Sequence, residues 1–130
     1  MADAADTGLK VSKVFFEPKE ILFSPGDAPA GLFFIEDGTV EVFREAGHRT
    51  VTLARLGRGD VVGELAMVEG IPHTRGVRAV TGVAALRISP DQLDAALKQS
   101  PPLVQMVLKR VVRKLHRTNE LAFGPSRPSA

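Results

Sequence analysis

A chain of 130 residues with 44% apolar and 25% charged side chains matches one globular domain, long enough to bury roughly two thirds of its unfolded surface. Cysteine is absent, which excludes disulfides and thiolate metal sites, and no run of about eighteen apolar residues exists to span a bilayer. The net charge is +2, but Lys109, Arg110, Arg113, Lys114, His116 and Arg117 crowd one late segment, a pattern suited to a phosphate backbone, an acidic partner or a solvated helix face. No aromatic side chain interleaves with that cluster to stack on bases and nothing resembles a helix-turn-helix, so nucleic acid is not the expected partner.

The opening six residues are acidic and lack the basic start and apolar core of a secretory signal, which predicts a cytoplasmic chain with residues 1–8 disordered. A domain over 9–121 follows. From Val11 to Ser89 apolar residues come in short bursts between Gly, Pro and Asp: Val14 to Phe16, Ile21 to Phe23, Leu32 to Ile35, Val40 to Phe43, Val51 to Ala54, Val77 to Val80 and Val83 to Ile88. Bursts of this length read as strands, and many at even spacing predict an antiparallel β-roll of the jelly-roll kind over 11–89. Pro25-Gly26-Asp27, Asp37-Gly38 and Gly57-Arg58-Gly59-Asp60 supply turns, and Asp37-Gly38 between two apolar runs predicts a hairpin.

After Ile88 the pattern changes. Ser89-Pro90-Asp91-Gln92 places a capping hydroxyl, a proline at the first helical position and a capping-box glutamine, which predicts a helix over 90–99. Ser100-Pro101-Pro102 restarts a helix over 101–121, on which Val104, Val107, Leu108, Val111 and Leu115 recur at spacings of three and four. An apolar stripe wider than the β-roll can cover would favour a homodimer through this helix; the alternative is packing on its own domain. Residues 122–130 read as a disordered tail.

The stretch from Leu56 to Ala79 interrupts the strands. Within it, Gly63-Glu64-Leu65-Ala66 reads as one turn of helix whose free N–H groups could meet an anion. Enzymatic readings find no support. His48, His73 and His116 are isolated, so no metal site is expected, and Ser12, Ser24, Ser89 and Ser100 read as strand or capping residues without a nucleophile's partners.

Taken together, Pro25-Gly26-Asp27, Gly31-Leu32-Phe33-Phe34-Ile35, Gly38 before a strand, Leu56-Gly57-Arg58-Gly59-Asp60 and Gly63-Glu64-Leu65-Ala66 leading to Pro72 resemble the cyclic-nucleotide-binding domain family of the catabolite activator protein, the kinase regulatory subunits and the gated channels. The resemblance implies a β-roll with a phosphate-binding cassette, a cyclic nucleotide (cAMP or cGMP) as ligand and no catalysis. It implies that the N–H groups of Glu64, Leu65 and Ala66, introduced by Gly63, face the cyclic phosphate and that the Glu64 carboxylate accepts from the ribose 2′-hydroxyl. Val61, Val62 and Leu53 would line the pocket or simply pack the core, and the late helix would close over the base.

The family's arginine after the proline is here His73. A histidine could be protonated by the phosphate it meets. Alternatively Arg75, two residues along an extended segment and so on the same side, could reach inward instead of lying in solvent. Thr74 offers a hydroxyl without deciding between adenine and guanine. The chain ends about where relatives begin an output module, so a sensor acting on an effector protein through its last helix is expected. The competing reading is a degenerate domain that binds no nucleotide and serves as a protein interaction module.

Overall fold

Residues two apart along a strand share a face, and the apolar bursts use this to build two facing sheets. The computed structural model describes residues 11–123, with side chains from 11 to 114. Its strands are β1 (Ser12–Phe16), β2 (Ile21–Phe23), β3 (Leu32–Asp37), β4 (Val40–Ala46), β5 (Arg49–Leu56), β6 (Val61–Val62), β7 (Gly76–Ala79) and β8 (Val83–Ile88). They form sheets of order β1-β8-β3-β6 and β2-β7-β4-β5 with antiparallel pairing. In β3, Phe33 and Ile35 are buried while Phe34 between them is 40% exposed. Inward residues of both sheets, among them Phe23, Phe33, Ile35, Val42, Val62 and Val77, make one core. The predicted β-roll is the fold observed.

Two details differ from the sequence reading. Asp37-Gly38 is not a hairpin: β3 and β4 lie in different sheets, and the pair carries the chain across. Glycine is needed there because φ is +93° and a Cβ would sit 2.1 Å from the Gly82 carbonyl oxygen. The tight hairpin instead joins β4 to β5 through Gly47 and His48, with Ala46 opposite Arg49. The second difference is β6, inside the stretch read as interrupting the strands. It is two residues long, and Val62 pairs with Phe33.

Three helices follow from local signals. Helix α1 (Glu64–Glu69) lies between β6 and β7. Helix α2 (Pro90–Lys98) has the predicted box: Gln92 N–H donates to the Ser89 hydroxyl at 3.1 Å and Ser89 N–H to the Gln92 side chain at 2.9 Å. Helix α3 (Pro102–Phe123) runs two residues past its expected end, so 122 and 123 are helical; the expectations for 1–8 and for 124–130 fall outside the described residues. No helix among the described residues is long and apolar enough to cross a membrane.

Helix α3 packs against α1. Val112 is buried and Leu108 half-buried, while Val104, Val107 and Val111 are 49%, 50% and 57% exposed. The alternative that this stripe is covered by its own domain is therefore overturned for these valines. Arg113 ties α3 down, its Nε donating to Glu69 Oε1 at 2.6 Å and its Nη2 to Oε2 at 3.1 Å, and it holds the Glu69 carboxyl below its ordinary range. Since the pair lies at the surface its worth is modest. Arg113→Ala is expected to speed amide exchange over 103–114 severalfold while leaving the β-roll's protection unchanged, as hydrogen-exchange measurements would show.

Candidate ligand-binding site

At the end of β6 the chain must turn sharply to start α1. Gly63 does this at φ +88°, where an added Cβ would lie 2.4 Å from the Gly31 carbonyl oxygen. Only glycine lets the two backbones approach so closely. Glu64, Leu65 and Ala66 then form the first turn, whose N–H groups have no acceptor within the helix; Leu65 and Ala66 are buried.

Glu64 is the unusual member. Its carboxylate lies largely out of water and Oε2 has no hydrogen-bond partner among the described residues. Burial holds the carboxyl above the usual carboxylate range, against a smaller opposing effect from a hydrogen bond with its own backbone. The folded chain thus holds this proton more tightly than the unfolded one, and stability falls as pH rises through the folded pKa. A carboxylate kept in a place that disfavours its charge is a candidate for a functional position.

His73 is 2% exposed. Its ring lies flat on Phe23, centroids 3.7 Å apart and planes 13° from parallel. The N–H of Ala30 donates to Nε2 at 3.0 Å. Its backbone is tied to the turn before β3, with His73 N–H donating to Asp27 O at 2.8 Å and Gly26 N–H to His73 O at 2.7 Å. An imidazole that accepts at Nε2 is neutral and carries its proton on Nδ1. Burial lowers its pKa, and the nearby Asp27 charge offsets this in part. The stability it contributes is complete above the unfolded value of about 6.5 and is lost as pH falls through the lower folded value. His73 is thus a neutral acceptor, not a cation.

The remaining candidates separate. Arg75 is wholly buried, so of its two positions open in the sequence the inward one is observed. Thr74 is half-buried between them. Val62 belongs to the core, whereas Val61 pairs with the exposed Phe34 and so lies on the outer face of its sheet, away from the barrel interior. Leu53 is half-buried where the β4–β5 register shifts, between Thr52 opposite Phe43 and Ala54 opposite Val42, as the extra residue of a bulge. Sequence reasoning missed Phe23 and Ala30 as partners of His73, and Arg87, whose Nε and Nη2 donate to the Ala30 carbonyl at 2.9 and 2.5 Å. No cluster among the described residues could hold a metal ion.

The site is thus a glycine-introduced turn after β6 that carries a largely buried glutamate on a β-roll. Residues 13–100 match the model of the cyclic nucleotide-binding domain. The chain belongs to that family. As a cyclic nucleotide-binding domain it is 38% identical over 71 residues to the cAMP-dependent protein kinase type II regulatory subunit of Drosophila melanogaster, covering 55% of this chain and 19% of that protein. It is 28% identical over 111 residues to the CRP-like cAMP-activated global transcriptional regulator of Mycobacterium tuberculosis, covering 85% of this chain and 50% of the relative. Among solved structures, the cAMP-bound form of an EAL enzyme superposes with TM-score 0.68 at 25% identity, covering 80% of this chain and 28% of that one. The chain thus spans half or less of the length of each of these relatives. These two curated relatives are a regulatory subunit and a transcriptional regulator.

Proposed function

We propose that this domain is a receptor for a cyclic nucleotide, cAMP or cGMP, and that it reports the bound state through α3 to a partner chain. The observation that carries the reading is Glu64: a largely buried carboxylate with one oxygen unpartnered, beside a turn that only glycine can make. A ribose 2′-hydroxyl is the donor such an oxygen lacks, and a cyclic phosphate is the acceptor for the N–H groups of Glu64, Leu65 and Ala66. Arg75, buried and on the same side of the extended segment as His73, supplies the positive charge opposite that phosphate. Solved relatives support both bases, since the EAL enzyme was crystallised in cAMP-bound and cGMP-bound forms.

The route outward runs from α1 through the Glu69–Arg113 pair to α3. The half-exposed Val104, Val107 and Val111 recur at heptad-like spacing, which fits a second copy of the helix as the first surface to receive the signal. Titration calorimetry with cAMP and cGMP at about pH 6 and about pH 8 tests the reading. Glu64→Ala is expected to weaken binding roughly ten- to a hundredfold, the worth of a charge-assisted hydrogen bond. Silence of the unaltered chain at millimolar ligand would overturn it and leave the second reading, a protein interaction module, which the engagement of His73 by Ala30 favours.

A further inference from the structure

The position after Pro72 holds a side chain whose two ring nitrogens have unequal roles. Nε2 accepts from Ala30 N–H, whereas Nδ1, which carries the proton of the neutral ring, has no hydrogen-bond partner. The ring's Cε1, bonded to both, lies 3.6 Å from where a Cβ on Gly63 would stand. The other face of Ala30 is fixed as well, its carbonyl held by Arg87. One imidazole therefore joins three parts: the Phe23 ring of the core, the Ala30–Gly31 backbone, and Gly63 at the entrance to α1. The Gly31 carbonyl is also the group that meets Gly63 most closely, so movement at Ala30–Gly31 is transmitted directly to the turn before Glu64.

We infer that His73 is a proton-sensitive positioning residue: neutral, it holds the 24–31 turn against the cassette, and protonated it releases that turn and weakens ligand binding. An imidazolium has two donors and no acceptor. On protonation the Ala30 N–H faces a second N–H across a 3.0 Å contact, and one of them must withdraw. Of the charged groups on the elements that meet the ring, Asp27 on the turn acts on it directly; Glu64 follows Gly63 at the start of α1, Arg75 lies two residues along the same segment, and Arg87 holds the Ala30 carbonyl. Asp27 favours the imidazolium, and burial outweighs it. The inference rests on the receptor reading for its effect on affinity, but the joint itself exists without ligand.

The direction of the pH effect is the test, because a histidine acting as a charged clamp on phosphate would give the opposite sign. As pH falls from about 7.5 through the folded pKa of His73, which lies below the ordinary value of about 6.5, cAMP affinity of the unaltered chain is expected to fall roughly three- to tenfold, the worth of one hydrogen bond. Glu64 also gains a proton in acid, so the comparison is with His73→Gln, whose amide oxygen can accept from Ala30 N–H but does not titrate; its affinity is expected to fall less. Affinity that rises in acid only when His73 is present, or pH profiles that coincide for the two chains, would overturn the inference. The second measurement uses no nucleotide and no variant. In amide correlation spectra of the free chain, the Ala30 resonance is expected to move with the same midpoint as the His73 ring, below its ordinary value of about 6.5. An Ala30 amide indifferent to His73 would overturn the joint even if cAMP binds. A coupled amide in a chain that binds neither nucleotide would uphold the joint and sink the receptor reading alone.

Discussion

Gly63→Ala is expected to lower folding stability by about 2–5 kcal/mol, about 1–2 from a left-handed backbone and about 1–3 from forced overpacking. The second contribution comes from the Gly31 carbonyl oxygen, 2.4 Å from the new methyl, a backbone atom that cannot swing aside as a flexible side chain would. Against a typical total of about 5–15 kcal/mol the loss is large, and it falls on the segment that aims Glu64. Gly26→Ala separates the two causes. Gly26 has φ +89° but nothing within 4 Å of an added Cβ, so only the backbone cost of about 1–2 kcal/mol applies. Denaturant midpoints of the two variants would show the difference. Equal losses would mean that the approach of Gly31 to Gly63 places no constraint on the site.

That constraint shows where sequence reading stops. The strands were legible because burial alternates along them, as at Phe33, Phe34 and Ile35, and α2 because its box is closed within four residues. Signals of this kind are local. The Asp37-Gly38 pair was read as a hairpin because a turn's residues reveal its geometry but not which sheet each flanking strand will join. Strand β6, only Val61–Val62, is too short to show a period. Glu64 could be named from its surroundings of glycine and small residues together with a family resemblance, but its unpartnered oxygen could not. His73 is the clearest limit. Its hydrogen-bond donor is 43 residues away and its stacking partner lies on β2, so neither contact is legible at the position after Pro72. For Arg75 the sequence left inward and solvent positions open, and burial decides for the inward one.

His73→Arg, which restores the family's usual residue, is expected to move stability and affinity in opposite directions. Arginine has no acceptor, so the Ala30 N–H loses its partner; a buried N–H left unsatisfied costs about 1–3 kcal/mol. A guanidinium lying over Phe23 would offset roughly 0.5–1 kcal/mol of this by cation–π attraction, and the free variant should melt at a lower temperature than the unaltered chain. If a cyclic phosphate approaches position 73, the longer guanidinium, unlike an imidazolium stacked on Phe23, can reach it with two parallel donors, and that charge-assisted pair outweighs the loosened turn and should tighten binding about tenfold or more, so saturating ligand should raise the variant's melting temperature by more than it raises that of the unaltered chain. Calorimetry and thermal melts together read both effects. Lost stability without gained affinity would mean that the phosphate does not reach this position and that Arg75 alone faces it. Gained affinity with unchanged stability would mean that the Ala30 bond holds nothing in place, and the proton-sensitive joint would fall with it. The expected outcome has the arginine variant binding more tightly and its affinity falling less in acid than that of the unaltered chain, since the titrating imidazole has been removed while Glu64 remains.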